Sequence, residues 1–244
     1  DSPKWEIKGD EFYSWQIFNA MNSNDNFKIT AGNGDNLLFV GCGSDDISVG
    51  SGNNYISFGG NQEDINGGVE YVKFAKHPES MDRILVQNST HSTITIEGLN
   101  AGKSAASMHS DEIYLLVNNG KWETTLNLGD HPGAVIYANL DNACKDAEIN
   151  LNDVNGDILN IFSDACDNSH LHTTTFNLDH TQGGVVGAGK AATINIYDID
   201  SKTCELDLNF TGLEGDHFNI NYNGHEADKA QVNTIVNLGA HTEG

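Results

Sequence analysis

Ten histidines and a surplus of acids set out the chemistry this chain could perform. His170 and His172 stand two apart, the spacing that points both imidazoles to one face of a strand and lets them share a metal, with Asp164, Asp167 and Asp179 close in sequence. His131 follows Asp130 and His180 follows Asp179, adjacent pairs open to a metal or a catalytic reading. Asp153, Asp157 and Asp179 are candidates for paired-carboxylate glycoside hydrolysis, because acids carried one or two coils apart in a stacked fold reach the separations which that chemistry uses. Solvated loop histidines and ordinary turn aspartates are the competing explanation of the same residues. The chain has no H-E-x-x-H and no G-x-S-x-G, which argues against a zinc peptidase helix and a nucleophile elbow.

A second group of acids lies inside a repeat. From Ala31 the chain reads AGNGDNLLF, VGCGSDDIS, VGSGNNYIS, FGGNQEDIN, four blocks of nine without an insertion. Each block opens on glycines, passes a polar slot and reaches an aliphatic: Leu38, Ile47, Ile56, Ile65. Glycine supplies the backbone angles of a tight turn and the aliphatic anchors a very short strand. Two blocks then make one coil, and coils stack so that each buries its apolar slot against the next.

This stretch resembles the RTX (hemolysin-type calcium-binding) nonapeptide family, whose repeat is G-G-x-G-x-D-x-aliphatic-x. The resemblance covers about four degenerate repeats. Gly32, Gly41, Gly50 and Gly59 fill the second slot, and Gly34, Gly43 and Gly52 the fourth, where the last block has Asn61. The first slot departs, with Ala31, Val40, Val49 and Phe58 enlarging the core of each coil. The sixth slot, the family's calcium aspartate, reads Asn36, Asp45, Asn54 and Glu63. The resemblance implies a β-roll, calcium between its turns and secretion from a bacterium by a C-terminal signal. Alternate blocks lie on opposite edges of a roll, so Asn36 is expected to stack on Asn54 as an amide ladder and Asp45 on Glu63. Carboxylates roughly 4.8 Å apart repel unless a cation sits between them. The expectation is one calcium site: Asp45 and Glu63 as charged ligands, Asp46 and Asp64 flanking, and turn carbonyls completing the oxygen shell. A metal-free solenoid with these acids in water is the alternative.

The elements that would carry these residues read as all-β, a right-handed parallel β-solenoid. Phe12, Trp15, Phe18 and Met21 recur at helical spacing between Asp10 and Asn24, so residues 1–25 are expected to form a helix capping the open end of the stack. Residues 26–67 make the RTX-like coils, and 68–244 continue the same domain as an irregular β-helix. Its strands are two inward apolars around a small polar residue, as in Thr125–Leu128, Glu148–Leu151, Thr175–Leu178 and Thr193–Ile196. Second strands are expected at Val135–Tyr137, Ile158–Ile161 and Val185–Val186. A jelly roll or sandwich is the alternative fold.

Composition narrows the function. The 244 residues hold 12 Lys plus Arg against 35 Asp plus Glu, a net charge of −23 that disfavours nucleic acid and anionic membranes as partners. No apolar run is long enough to span a bilayer, so no membrane insertion is expected. Cys42, Cys144, Cys166 and Cys204 form no C-x-x-C pair and read as buried thiols or an inter-coil disulfide such as Cys144 with Cys166. A single arginine, Arg83, argues against chemistry on uronate polymers, which needs cations at the sugar carboxylate. The reading is a non-catalytic, calcium-stabilised, extracellular binding or delivery domain of a secreted bacterial toxin or adhesin. Its flat faces of Asn, Thr and Asp with Tyr55, Trp122, Tyr137, Tyr197 and Tyr222 suit a glycan or host-surface ligand. The alternatives are a β-helix carbohydrate-active enzyme (lyase, hydrolase or epimerase) using turn carboxylates, and a secretion or folding unit that recognises nothing itself. Asn88-Ser89-Thr90 and Asn209-Phe210-Thr211 are glycosylation sequons that leave a eukaryotic secreted origin open.

Overall fold

The computed structural model describes residues 5–9, 15–41, 43–59, 69–75, 81–87, 92–99, 111–117, 122–131, 133–140, 146–163, 172–199, 205–213, 215–221 and 233–238. Among these there is no helix; 19 strands form two sheets. The odd sheet holds β1 (Trp5–Lys8), β3 (Phe27–Thr30), β5 (Asp46–Val49), β7 (Val69–Phe74), β9 (Ser92–Glu97), β11 (Trp122–Asn127), β13 (Ala147–Asn152), β15 (His172–Asp179), β17 (Glu205–Thr211) and β19 (Asn233–Leu238), in that order. The even sheet holds β2 (Gln16–Asn19), β4 (Asn36–Phe39), β6 (Tyr55–Phe58), β8 (Arg83–Gln87), β10 (Glu112–Leu116), β12 (Val135–Asn139), β14 (Ile158–Ser163), β16 (Thr193–Ile199) and β18 (His217–Asn221). Each strand pairs in parallel with the strand two further along, so the chain climbs as a two-sheet parallel β-solenoid. The ladders exclude a hairpin-built sandwich.

Period-two alternation explains the coils. Along β10 Ile113 and Leu115 point inward and are buried while Glu112, Tyr114 and Leu116 face out. Parallel register then stacks like on like: Leu38, Ile56, Ile84, Ile113, Ile136, Leu159 and Ile194 form one aliphatic column inside the even sheet. Opposite it Ile29, Ile47, Val72 and Ile96 do the same in the odd sheet. Fully burying each such side chain contributes about 1.5–3 kcal/mol.

Turn glycines are dictated by the same stacking. A Cβ on Gly41 would lie 1.8 Å from the Ser23 carbonyl oxygen of the coil below. Gly52 has φ +129°, with the Gly34 carbonyl oxygen 2.5 Å from a Cβ there.

The N-terminal segment corrects the sequence reading. Gln16–Asn19 is strand β2, whose neighbour β4 takes its backbone hydrogen bonds, with Ala20 N–H continuing to the Phe39 carbonyl at 2.7 Å. Phe18 turns inward to meet Phe27 edge-on at 5.3 Å, while Trp15 and Ile17 are exposed. A ready parallel partner outweighs the spacing of four apolar residues, because isolated short helices are marginal and the ladder to β4 satisfies the backbone groups on that side of β2. Residues 10–14 lie outside the described residues.

Two further corrections concern register. Asp46 pairs with Tyr71, so Val72 stands over Ile47, in the place assigned by the nine-residue count to Ile65. Val185–Val186 is not a coil strand. It is the exposed end of a small hairpin in which Gln182 and Val185 exchange two backbone hydrogen bonds at 3.0 Å around Gly183 and Gly184, both at positive φ. One turn of the solenoid takes 18 residues from Asn36 to Asn54 and 35 from Asn160 to Asn195, the excess leaving in such loops.

Candidate functional site

Asn36, which opens β4, and the residue before each later even strand stack in one edge column: Asn36, Asn54, Asp82, Asp111, Ala134, Asp157, Ala192, Asp216. Asn36, Asn54, Asp82, Asp111 and Asp157 are each at least 98 % buried. The column works by one rule. A side-chain oxygen in one coil accepts the backbone N–H of the residue below: Asn54 N–H to Asp82 Oδ1 at 3.0 Å, Asp82 N–H to Asp111 Oδ1 at 2.9 Å, Ala134 N–H to Asp157 Oδ1 at 2.6 Å, and Ala192 N–H to Asp216 Oδ1 at 2.6 Å. A buried turn N–H left without such an acceptor would cost about 1–3 kcal/mol.

At its start the column is an amide ladder, as the repeat implied. Asn36 Nδ2 donates to Asn54 Oδ1 at 2.6 Å, and Asn54 Nδ2 to Asp82 Oδ1 at 2.8 Å. The same amides reach the carbonyls of their own turns, Asn36 those of Gly32 and Gly34 at 3.1 and 2.7 Å, and Asn54 those of Gly50 and Gly52 at 3.2 Å each. At Asp82 an oxygen replaces the amide nitrogen. Its Oδ2 is buried without a hydrogen-bond partner, and burial pushes the carboxyl up to about 6 against the opposing pull of the Asn54 donors.

Further along, alanine breaks the column and histidine fills the gap. His131 Nε2 lies 2.7 Å from Asp157 Oδ1 and Nδ1 lies 3.0 Å from the Gly129 carbonyl. Both partners are acceptors, so both ring nitrogens carry hydrogen. Burial alone would lower the His131 pKa, but the Asp157 hydrogen bond and charge and the Gly129 carbonyl together raise it above the usual value. Asp157 Oδ2 takes a further N–H from Asn155 at 2.9 Å. His180 repeats the contact with an acid beside Ala192, its Nε2 lying 3.2 Å from Asp216 Oδ2. Both histidines are buried, and their acids are not the adjacent Asp130 and Asp179 but residues one or more coils away.

Of the four expected calcium ligands, Asp45 and Asp46 are described. Asp45 belongs to the other edge, buried, with Oδ1 accepting the Phe27 N–H at 2.8 Å; burial pushes its carboxyl up to about 6, against the pull of that donor. Asp46, next in the strand, projects outward and meets Lys28 Nζ at 3.4 Å. Register places Glu70, not Glu63, over Asp45, because the coil after β6 is longer than two blocks. Glu63 and Asp64 lie outside the described residues. On the Asn36 edge the turn carbonyls that would face a cation already receive amide hydrogens. Among the described residues no group of three metal-ligating side chains converges.

The other expectations distribute similarly. Asp153 sits in a turn at φ 64° with Oδ2 3.3 Å from the Gly129 nitrogen, Asp157 is buried against His131, and Asp179 is exposed with Oδ1 accepting from Thr181. Backbone of His172 lies in β15; His170, Asp164, Asp167, Tyr222 and all four cysteines lie outside the described residues. Trp122 is buried in the core and offers no ring to a ligand.

What the sequence reading missed is the continuation of the sixth slot. Asp82-Arg83-Ile84, Asp111-Glu112-Ile113, Asp157-Ile158-Leu159 and Asp216-His217-Phe218 repeat the acid, spacer, apolar pattern in four of the six later even-strand coils, after the nine-residue period has gone. That triplet is the signal that could have found them.

Outside, the odd sheet presents polar ladders. Asn177 Nδ2 donates to Asn150 Oδ1 at 2.7 Å, Asn150 to Thr125 Oγ1 at 3.3 Å, and Thr211 Oγ1 to Asn177 Oδ1 at 2.6 Å. A parallel column links Asn152, Asn127 and Thr95 at 2.8 and 3.1 Å. An amide has two N–H donors and an oxygen with two lone pairs, so each rung keeps hydrogen-bonding capacity for solvent or ligand.

Comparison of the chain with protein-family models, with curated proteins and with solved structures gives no match.

Proposed function

We propose that this chain is a non-catalytic binding or delivery domain of a secreted, extracellular bacterial RTX-type protein, a toxin or adhesin, and that the outer face of its odd sheet takes a neutral glycan. The observation that carries the reading is the pair of Asn and Thr columns on that face, which repeat amide and hydroxyl groups at one coil spacing of roughly 4.8 Å along a flat surface. A polymer of sugar hydroxyls meets the same donors and acceptors again at each coil. The RTX-like turns support the secreted, bacterial assignment, and the calcium that the resemblance implies at Asp45, Asp46, Glu63 and Asp64 belongs to the same proposal.

A glycan array with wild type and an Asn150→Ala/Asn177→Ala double variant tests it. Binding of neutral polysaccharides that the double variant loses, with no release of reducing ends, is the expected result. Release of reducing ends from a bound polymer would replace this reading with the carbohydrate-active enzyme. Binding that persists in the double variant would move the site off this face.

A further inference from the structure

One segment leaves the stack. Between β15 and β16 the chain runs out from Thr181 to Ala191 as a small hairpin, and none of its residues is buried. Val185 and Val186 at its end are 59 % and 80 % exposed, and a Cβ on Gly183 or Gly184 would meet no described atom within 4 Å beyond its chain neighbours. His180 to Tyr197 is also the longest run of the chain without an acid. A molecule of net charge −23 thus presents an apolar knob whose one formal charge is Lys190. Exposing two valines gains nothing for the fold, and loop tips of small residues are where folded chains are preferentially nicked.

Base and tip of the hairpin are held differently. At the base, Gly189 N–H donates to the His180 carbonyl at 2.8 Å, Lys190 N–H to Asn155 Oδ1 at 2.9 Å, and Gly156 N–H to the Lys190 carbonyl at 3.0 Å. A Cβ on Gly189 would lie 2.0 Å from the Val154 carbonyl oxygen, so the base is clamped to the coil below. At the tip the backbone is tied by the Gln182–Val185 pair and by Ala188 N–H to the Val185 carbonyl at 3.4 Å. Opening the tip gives up those bonds and uncovers no core, which makes it a local event of low cost. Gly183, Gly184 and Gly187, all at positive φ, can swing into the extended backbone that a protease cleft requires without a Cβ in the way. Val185, Val186 and Ala188 are the side chains that a small apolar primary pocket of the elastase kind accepts. We infer that the tip is a cleavage site for endopeptidases with such a pocket, and that the cut protein keeps the solenoid as two chains. Water is the co-reactant: its hydroxyl joins the carbonyl carbon, the C–N bond breaks, and a new carboxylate and a new ammonium are left. Ladders across the cut, β14 with β16 and β15 with β17, hold the fragments together. The inference does not rest on the glycan reading.

Timed digestion of the full chain with elastase, read by intact mass, tests it. The expected first product is one cut after Val185, Val186 or Ala188, giving two fragments whose masses sum to the chain plus one water. They should elute together on gel filtration and separate in urea. Val185→Asp/Val186→Asp/Ala188→Asp, three changes at exposed positions, should melt as wild type does and slow this cut by roughly tenfold or more. Trypsin should spare the Lys190–Ala191 bond in the folded chain and cut it once urea has opened the coils, because the clamp protects a residue that is itself exposed. Resistance of the folded chain to elastase, a first cut elsewhere, or an undiminished rate in the triple variant overturns the inference. Fragments that part without urea overturn the two-chain product, and tryptic cleavage at Lys190 in the folded chain overturns the division between base and tip on which the inference stands.

Discussion

The first and last halves of the edge column meet one demand with different chemistry. From Asn36 to Asp82, amides donate along the stack and into their own turns; from Ala134 to Asp216, alanine vacates the column and an imidazole from a neighbouring turn donates to the acid above. A buried turn needs both an acceptor for the next coil's N–H and a donor for its own carbonyls. An asparagine provides both in one side chain. An aspartate provides only the acceptor, and a histidine can supply the missing hydrogen. Asp82 stands between the two solutions with neither amide nor imidazole, which is why its Oδ2 is left over.

The sharpest way to break the comparison is to remove one member of the histidine solution. His131→Ala leaves Asp157 buried without its ring donor and should lower stability by about 3–5 kcal/mol, read from the midpoint of urea unfolding. A loss below about 1 kcal/mol would mean that the pair contributes no more than a surface one. Asn54→Ala strips donors from Gly50, Gly52 and Asp82 together, and a loss of about 3 kcal/mol is expected in the same assay.

Substituting the amide where it is missing should have the reverse sign. Asp82 has a folded pKa raised from the usual 3.8 to about 6, so its favourable contribution is full below the unfolded value and is lost as pH rises through 6. Asp82→Asn should therefore stabilise the protein by up to about 3 kcal/mol at neutral pH and by little near pH 4. Asp45, also raised to about 6, and His131, raised above its ordinary value, both lose stabilisation as pH rises, and the −23 charge adds self-repulsion. Wild type should accordingly melt higher at about pH 5 than at about pH 8, and Asp82→Asn should flatten that slope in thermal scans. An upward slope from acid to neutral pH would refute the raised carboxyls. Least affected should be stability on the outer face: Asn150→Ala, in a half-exposed ladder, should cost under about 1 kcal/mol while weakening the proposed glycan contact.

Much of this was legible before any coordinates. Glycine pairs followed by a polar residue and an aliphatic can only be satisfied by turns that stack, and Asn36 over Asn54 follows from the count of nine. Later strands with apolar, polar, apolar alternation read correctly at Thr125, Glu148, Thr175 and Thr193 because side-chain direction in a strand depends on nothing beyond the next residue. The helix at the start failed because a backbone partner more than a dozen residues away decided the matter.

Local composition thus determined that the chain coils, which residues face the core and that a polar residue opens most even strands. Tertiary structure alone decided who stands above whom. Coils of 18 to 35 residues have no common period, so the meeting of His131 with Asp157, of Asp45 with Phe27, and of the Tyr114 ring with that of Tyr137 depends on how much chain each loop consumes. Strand pairing settles that only once the coils have closed, because the energy of a rung resides in contacts between neighbours in space.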